Sequence, residues 1–450
     1  MKTSAVLLAA GQGTRMKSAL PKVLHPLLGR PMIFYGLDTL RNVTGTNPVA
    51  VIGHGAEAIR QAVGEAAEFV IQEPQLGTGH AVQQAQSLLQ GNADQILVTT
   101  ADMPLLTEET LRCVVQAQSE NSGPITMLTL LAEDPRGFGR VVRTAGNRVL
   151  EVVEEAQATE EQRQIRELNA SVYCFNSDWL WRSLPRITLS PKGEYYLTDL
   201  IAIAAQDGLA VRALVAENPH ETIGINTRVH LAEAEAYLRQ RINRDWMLAG
   251  VTLIDPATTY IEPGVRIGQD TLIWPNTYLQ GNSTIGEACV LGPDTLVRDT
   301  SVGNRCRVSS SVLEMAFVED DVDIGPFAHL RRGAHLDKGV HVGNFGEVKN
   351  SYLGPGTKMG HFSYIGDATI DRNVNIGAGT VTCNFDGEKK NHTDIGAGVF
   401  IGSDTMLVAP VKLGAGSHTG AGAVVTKDVP ADTLVVGVPA RAIRKLKKSD

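Results

Sequence analysis

The chain is poor in cysteine, in aromatic residues and in long apolar runs. Its five cysteines are odd in number and include no C-x-x-C pair, which argues against a disulfide framework or a zinc site. They predict reduced thiols in a cytoplasmic protein. The N-terminal apolar run, Ala5 to Ala10, is too short for a signal peptide. No segment approaches the ~20 apolar residues that cross a bilayer, so no membrane partner is expected.

The chain also lacks an excess of positive charge. A net charge of −8 gives the chain no overall attraction for a polyanion, so no nucleic-acid partner is expected and any phosphate binding must be local. Hydrophobic residues make up 43% and charged residues 20%, as in ordinary globular proteins. A length of 450 residues predicts two or three domains.

Aliphatic residues recur at every sixth position through most of the C-terminal 200 residues. The series runs from Ile261 to Val297, resumes at Val318 and, after a further slip, reaches Leu413. A period of six fits neither a helix nor an amphipathic strand. It predicts a parallel β-helix in which each hexapeptide gives one short strand and one turn, with the aliphatic residue pointing inward. Chance recurrence of common residues is the alternative, and the number of residues in phase argues against it.

The repeat is interrupted between Ile376 and Ile395, where the chain reads CNFDGEKKNH. A β-helix extrudes insertions as loops, and such loops often line a binding face. Asn, Asp, Gly and Lys suit an exposed turn, so a purely structural insertion is the alternative. The nearby stretches RRG (331–333), EVK (347–349) and GHFSYIG (360–366) favour a functional loop.

Residues 1–229 have a different pattern, which predicts a doubly wound α/β sheet of apolar strands separated by helices. The strand in AVLLAAGQGTRM leads into a glycine-rich turn that is followed by Arg15 and then by Lys22. Such a turn lets backbone N–H groups approach a phosphate, which the cations neutralise. The motif is neither a Walker A sequence nor a full G-x-G-x-x-G. Asp102 follows a second apolar strand, at the edge where open α/β sheets bind ligands.

A third segment, residues 230–250, is rich in Ala, Leu, Glu and Arg and has no internal Pro or Gly. It predicts a long linker helix, ended by Gly250, between domains at 1–229 and 251–450. A flexible linker is the alternative, and the lack of serine and glycine argues against it.

Several motifs together resemble the sugar nucleotidyltransferases: LAAGQGTRMKSALPKVLH, QLGTGHA, ADMP, GFGR, EEQRQIRELN, GEYYLTD and GINTR. With the β-helix, the whole chain is similar to the family of bifunctional N-acetylglucosamine-1-phosphate uridylyltransferases/glucosamine-1-phosphate N-acetyltransferases. NVNIGAGTVTCNFDG and GHFSYIGDA are the most specific pieces. The resemblance implies a Rossmann-like nucleotidyltransferase domain, a linker helix and a left-handed parallel β-helix in a homotrimer.

The implied activities are acetylation of glucosamine-1-phosphate by acetyl-CoA, and then transfer of UMP from UTP to N-acetylglucosamine-1-phosphate with Mg²⁺ as cofactor. In the first domain the resemblance assigns Arg15 and Lys22 to the triphosphate, and Asp102 and Asn226 to the metal. The nucleotide residues are Ala10, Gly11, Gly13, Lys22, Gln72, Gly77 and Thr78. The sugar-phosphate residues are Gly139, Glu154, Asn169 and Asn226. Ala101 stands where the family usually has Gly, so its methyl group is expected to alter contacts on that side of the site.

In the second domain His361 resembles the general base that accepts a proton from the glucosamine amine, and an ordinary imidazole pKa near 6.5 suits this task. A structural histidine is the alternative, and Glu347 is a candidate to orient the ring. The implied sugar-phosphate residues are Arg331, Lys349, Tyr364, Asn375 and Lys390. The implied acetyl-CoA residues are Tyr364, Ala378, Asn384, Ser403, Ala421 and Arg441. For Arg441 and Arg444, contact with CoA phosphates is weighed against a solvated basic tail, which the run KLKK favours.

Two other functions remain open at this stage. One is a monofunctional sugar nucleotidyltransferase with a structural β-helix, against which the motif around His361 argues. The other is a non-catalytic scaffold, against which the joint presence of five residues argues: Arg15, Lys22, Asp102, Asn226 and His361.

Overall fold

A computed structural model describes residues 1–445. The chain divides into two compact units, the first from Met1 to Leu238 and the second from Arg239 onward. A helix, Arg228–Leu248, runs across this boundary, and Gly250 follows it with φ +94°. Most of the basic run KLKK, at 445–448, lies outside the described residues. Within residues 1–445 no helix combines the length and apolarity needed to cross a bilayer.

The first unit alternates strands and helices. Its strands are β1 (Thr3–Ala9), β2 (Pro26–Leu27), β3 (Arg30–Pro31), β4 (Val49–Ile52), β5 (Glu68–Ile71), β6 (Gln95–Thr100), β7 (Ile125–Leu131), β8 (Arg140–Arg143), β9 (Val149–Val153), β10 (Glu167–Asn176) and β11 (Val211–Val215). Its helices are α1 (Ile33–Thr44), α2 (Ala56–Val63), α3 (Thr78–Gln84), α4 (Gln86–Leu89), α5 (Glu108–Ser119), α6 (Glu160–Arg163), α7 (Ser177–Ser183) and α8 (Asp199–Gln206), before α9 (Arg228–Leu248).

The main sheet has the strand order β11-β7-β10-β6-β1-β4-β5, with β8 paired to β10 and β9 paired to β8. β1 lies at its centre and pairs in parallel with β4 and β6. Because side chains alternate along a strand, Leu7 packs into the core on one face of the sheet and Val6 into the core on the other. The predicted doubly wound sheet is therefore present. The apolar runs did not reveal that β10 is antiparallel to β6 and β7.

The second unit is a parallel β-helix of three long sheets, here called the first, second and third faces. The first face is formed by Thr252–Leu253, Leu272–Ile273, Val290–Leu291, Arg307–Val308, Asp323–Ile324, His341–Val342, Lys358–Met359, Asn375–Ile376, Phe400–Ile401, His418–Thr419, Thr433–Val436 and Arg441–Lys445. The second face is formed by Thr259–Ile261, Thr277–Gln280, Leu296–Arg298, Val312–Glu314, His329–Leu330, Gly346–Lys349, Ser363–Gly366, Val381–Cys383, Met406–Val408 and Val424–Val425. The third face is formed by Arg266–Ile267, Thr284–Ile285, Ser301–Val302, Phe317–Val318, Ala334–Leu336, Ser351–Leu353, Ala368–Ile370, Thr393–Ile395 and Val411–Leu413.

Aliphatic residues from successive coils stack in one continuous core, as the period of six predicts. Ile261 pairs with Leu279, 18 residues further along the chain. From Val297 to its partner Leu313 the coil has only 16 residues, and from Leu313 to Leu330 it has 17. The slips in the sequence pattern are therefore shortened coils, in which the strands stay in register although residues are lost at the corners.

The interruption of the repeat is shorter than the sequence pattern suggested. After Ile376 the chain forms one more strand, Val381–Cys383, with Thr382 as its fully buried inward residue. The Thr382 hydroxyl accepts a hydrogen bond from the backbone N–H of Gly366 at 2.8 Å and lies 3.0 Å from its carbonyl oxygen. A hydrogen-bonded threonine thus takes the place of an aliphatic residue, and the extruded loop spans only about residues 384–392.

The last strand of the first face, Arg441–Lys445, folds back antiparallel onto Thr433–Val436. All other strand pairs described within the β-helix are parallel.

Candidate functional sites

A cleft of about 670 Å³ opens in the first unit, where β1 and β6 end. Its lining includes every residue that the resemblance assigned to uridylyl transfer. They are Ala10, Gly11, Gly13, Arg15, Lys22, Gln72, Gly77, Thr78, Asp102, Gly139, Glu154, Asn169 and Asn226. Segments far apart in the sequence thus converge on one concave surface, which is the form that small-molecule sites take.

The glycine-rich turn follows β1 directly. Gly13 has φ +63°, in the left-handed region that glycine adopts without strain, and a Cβ atom at this position would lie 2.6 Å from the Lys22 Cβ. Both the backbone conformation and the close packing therefore require glycine. The turn continues as a short 3₁₀ helix, Thr14–Met16, that carries Arg15 into the cleft.

Five polar side chains meet beside this turn. The Lys22 ammonium lies 2.5 Å from Asp102 Oδ2 and 3.1 Å from Asn226 Oδ1. Arg15 Nη2 donates to the same Asn226 oxygen at 3.0 Å. The Thr100 hydroxyl donates to the other carboxylate oxygen, Asp102 Oδ1, at 2.6 Å. This cluster offers cations to a polyphosphate and a pair of oxygen ligands to a cation.

Ala101 does not face the cleft. Its side chain is 2% exposed and packs in the core on one face of the sheet, and its N–H donates to the Leu8 carbonyl at 2.9 Å. Its methyl group is therefore not part of the cleft lining, although its neighbours Thr100 and Asp102 are.

The sugar-phosphate residues of the cleft are fixed by an irregularity in β10. The pairing of β10 with β7 shifts between Asn169 and Tyr173, and Ser171 inside this bulge has φ +55°. The Asn169 amide donates to the Tyr173 hydroxyl at 2.6 Å, and its backbone N–H donates to the Gly139 carbonyl at 2.9 Å. Bulges re-aim side chains next to active sites, and this one turns Asn169 into the cleft.

Glu154 is a half-buried carboxyl group that lines this part of the cleft. Burial raises its pKa above the ordinary value, and the hydrogen bond from the Thr198 hydroxyl at 3.1 Å acts in the opposite direction. Thr198, Glu194 and Tyr196 also line the cleft, although no individual role was predicted for them. The motif GEYYLTD contains all three and was the available signal.

The β-helix brings a second set of predicted residues into one row. His361, Ala378, Ser403 and Ala421 occupy the corner between the first and second faces in successive coils. Hydrogen bonds along the corner connect the coils, from Asp404 N–H to the Ala378 carbonyl and from Gly422 N–H to the Ser403 carbonyl. The resemblance assigned this row to the base and to acetyl-CoA.

The outward side of the second face carries three of the predicted polar residues. Arg331, Lys349 and Tyr364 lie on it in successive coils. Asn384 is 4% exposed, and its amide donates to the Tyr364 hydroxyl at 3.4 Å and to Asp367 at 2.5 Å. The second face therefore separates these residues: His361 lies at its corner with the first face, whereas Lys349 and Asn384 lie at its opposite end, beside the third face.

His361 is exposed, and its ring has no hydrogen-bond or ion-pair partner among the residues described at 1–445. Glu347, the candidate to orient it, is paired with Arg331 instead, with Nη1 to Oε1 at 2.8 Å. Within one chain Glu347 therefore positions Arg331.

Asn375 lies apart from this group. It belongs to the first face, in register with Lys358, whereas Tyr364 belongs to the second face. Outward side chains on two faces of a prism point in different directions. Arg441 also lies on the first face, opposite Val436. One chain thus divides the predicted acetyl-transfer residues between two faces.

The extruded loop is a compact turn rather than a slack chain. Phe385 and Lys390 form an antiparallel bridge, and the Lys390 ammonium lies 4.5 Å from the centre of the Phe385 ring. Asp386 accepts hydrogen bonds from the N–H groups of Lys389 and Glu388 and from the Asn391 amide. These hydrogen bonds lower the pKa of Asp386 to about 2, and the bond from the Lys389 N–H has the largest effect. The loop therefore has an ordered backbone, which holds Lys390 in a defined position.

No group of three or more His, Cys, Asp or Glu side chains arranged to hold a metal occurs within residues 1–445. The oxygens of Asp102 and Asn226 still suit a hard cation whose remaining ligands come from phosphate and water. The ammonium that already lies between these oxygens shows that their arrangement accepts a positive charge.

Comparisons with known proteins extend to the whole chain. The MobA-like NTP transferase domain matches residues 5–172, and the bacterial transferase hexapeptide family matches residues 264–299 and 392–427. A bifunctional protein GlmU of Heliobacterium modesticaldum is 47% identical over 436 residues, which cover 97% of this chain and 95% of the relative. A bifunctional protein GlmU of Bacillus velezensis is 44% identical over 450 residues, which cover all of this chain and 98% of the relative. The hexapeptide match agrees with the left-handed β-helix that the repeat and the resemblance imply.

Proposed function

Because the chain belongs to the bifunctional GlmU family, we propose that the cleft of the first unit and the corner row of the β-helix are its two active sites. The chain is an enzyme with uridylyltransferase and acetyltransferase activities, as the resemblance predicted. The monofunctional and scaffold alternatives do not fit relatives that match over the full length. The observation that carries the site assignment is the convergence of every predicted uridylyl-transfer residue on one cleft.

In the cleft, the phosphate oxygen of N-acetylglucosamine-1-phosphate attacks the α-phosphorus of UTP, and pyrophosphate leaves. Such transfers depend on positioning and on neutralising the phosphate charge. Arg15 and Lys22 supply positive charge, and the N–H groups of the turn around Gly11 and Gly13 approach the phosphates. Asp102 and Asn226 hold Mg²⁺, which neutralises phosphate charge when it is bound.

The same cleft holds the acetamido sugar on the side opposite the glycine-rich turn. Gly139 presents backbone, Asn169 presents its amide, and Glu154 presents a carboxyl group whose pKa is raised chiefly by burial. Thr198 holds Glu154 in place.

At the corner row, His361 accepts a proton from the amine of glucosamine-1-phosphate as the nitrogen attacks the thioester carbonyl of acetyl-CoA. The new N–C bond forms as the C–S bond breaks, and the CoA thiolate leaves. Arg331, Lys349 and Lys390 hold the sugar phosphate by charge. Ala378, Ser403 and Ala421 line the path of the CoA chain, and Arg441, on the first face, meets a CoA phosphate.

A fragment of residues 1–228 is expected to keep uridylyl transfer and to lose acetyl transfer. All cleft residues lie before residue 229, inside the first compact unit. The two activities are measured by mass spectrometry of the products from UTP with N-acetylglucosamine-1-phosphate, and from acetyl-CoA with glucosamine-1-phosphate. The full-length chain is the control. A folded fragment that makes no UDP-N-acetylglucosamine contradicts the assignment of the cleft.

The acetyl-transfer site is proposed to be shared between chains of a homotrimer. Its support is the separation of Asn375 from Tyr364 on two faces of the β-helix. A neighbouring chain that offers its own first face beside the second face brings both residue sets to one ligand. Closed cyclic symmetry then completes every such site. Light scattering is expected to give about three times 48.2 kDa.

Mixing two inactive variants tests the sharing itself. Tyr364→Ala and Asn375→Ala are each expected to lose most acetyl transfer. After unfolding and refolding as an equal mixture, activity is expected to return to about a quarter of wild type, because one shared site in four receives two intact halves. Each variant refolded alone is the control. A mixture no more active than the average of the two variants means that each chain builds its site alone.

We infer a cytoplasmic location from the co-substrates, UTP and acetyl-CoA, and from the five cysteines, which are all free.

A further inference from the structure

The position of the Lys22 ammonium is the starting observation. It lies 2.5 Å from Asp102 Oδ2 and 3.1 Å from Asn226 Oδ1, and these are the two oxygens proposed to hold Mg²⁺. The Lys22 and Asp102 side chains are only 13% and 20% exposed, so water screens the pair weakly. The other oxygen of the carboxylate is engaged by the Thr100 hydroxyl. The ammonium therefore lies where a metal ion would have to bind.

The charges around this position disfavour a metal ion on its own. Arg15 and Lys22 provide two positive charges against the single negative charge of Asp102, and Asn226 is neutral. A divalent cation entering alone must displace the ammonium from the carboxylate and then lie beside two cations. When the triphosphate of UTP is present, it supplies the negative charge that both the metal and the displaced lysine need.

The Cβ atom of Lys22 is held in place, whereas its ammonium group has an alternative partner. The Lys22 Cβ packs so closely against Gly13 that position 13 has no room for a side chain. The methylene chain beyond Cβ has rotatable bonds that let the ammonium move from the carboxylate to a phosphate held at the glycine-rich turn.

We propose that Lys22 occupies the metal position until a nucleotide arrives, and that it exchanges this position for the triphosphate when metal and UTP bind together. The inference rests on the proposed role of Asp102 and Asn226 as Mg²⁺ ligands. Lys22 thereby couples metal binding to nucleotide binding and keeps the free enzyme from holding a metal ion that lacks a substrate.

Metal binding in the absence of nucleotide tests this proposal. Mn²⁺ takes the same oxygen ligands as Mg²⁺, and its free concentration can be followed by electron paramagnetic resonance. Lys22→Met removes the positive charge and keeps an unbranched side chain. It is expected to bind Mn²⁺ without UTP at least about tenfold more tightly than wild type, because a cation no longer competes for the carboxylate. Lys22→Gln is the second variant, should Lys22→Met fail to give a cooperative thermal transition.

Two controls locate the effect. Lys17→Met removes a positive charge from the same segment, at a residue outside the cleft lining, and is expected to bind Mn²⁺ as wild type does. Lys22→Met combined with Asp102→Asn is expected to lose the tightening. The proposal is overturned if wild type binds Mn²⁺ as tightly as Lys22→Met, if Lys17→Met tightens as much, or if the double variant retains the gain. Uridylyl transfer by wild type is assayed separately, so a failure of the proposed function is distinguished from a failure of this inference.

Discussion

Replacing His361 with alanine is expected to lower acetyl transfer by about 10²–10⁴-fold and to leave uridylyl transfer near the wild-type rate. The substitution removes the proposed general base for the amine proton during attack on the thioester. Uridylyl transfer depends on a cleft in the other compact unit, to whose lining His361 does not belong. The measurement is the rate of both half-reactions on the full-length variant, with thermal unfolding as a check of folding.

A second histidine provides the matched control for this variant. His335 lies on the third face, where its ring is 3.2 Å from Glu319, away from the corner row. His335→Ala is expected to keep both activities. The general-base assignment is wrong if His361→Ala keeps acetyl transfer within about threefold of wild type. A lowered melting temperature with loss of both activities would instead assign His361 a structural role.

Replacing Asp102 with asparagine is expected to have the opposite effect. Uridylyl transfer should fall by about 10²-fold or more, while acetyl transfer stays near wild type. A neutral amide attracts Mg²⁺ less strongly than a carboxylate does, and it also loses the ion pair that holds Lys22 at 2.5 Å. The rates of both half-reactions, measured over a range of Mg²⁺ concentrations, should show that added metal restores part of the uridylyl transfer.

The control for this change is another aspartate that is paired with a cation in the same unit. Asp207 pairs with Arg186 on the surface, outside the cleft lining. Asp207→Asn is expected to keep full uridylyl transfer. Equal losses in the two variants would mean that removal of any ion pair, and not of a metal ligand, lowers the rate.

The period of six was sufficient to predict the β-helix, because inward residues must be apolar in almost every coil. It failed at Thr382, where a hydrogen-bonded hydroxyl replaces the aliphatic side chain. It also failed at the slips, since pairing between coils depends on position in space and not on equal spacing in the sequence. The pairing of Val297 with Leu313 shows this in a coil of 16 residues.

The cleft was predictable to the extent that its residues belong to motifs. Arg15, Lys22 and Asp102 follow a turn or a strand end whose chemistry can be deduced from the sequence. Thr100 and Thr198 could not be assigned, because their hydroxyl groups act through Asp102 and Glu154 and not through a spacing pattern. The bulge that turns Asn169 into the cleft depends on the pairing of β10 with β7, which is a long-range contact. For the same reason the sequence did not indicate that Asn375 and Tyr364 lie on different faces.

The reversed strand at the end of the first face has a consequence for how the chain behaves at high concentration. Parallel coils have no intrinsic stopping point, and a bare last coil offers hydrogen-bonding groups to the first coil of another molecule. On this face the strand Arg441–Lys445 pairs with those groups. It runs antiparallel to the other strands, so a further parallel coil cannot stack on it in the same way. Its exposed cationic side chains, Arg441, Arg444 and Lys445, repel an identical end. This short strand thus opposes end-to-end stacking of the β-helix on its first face.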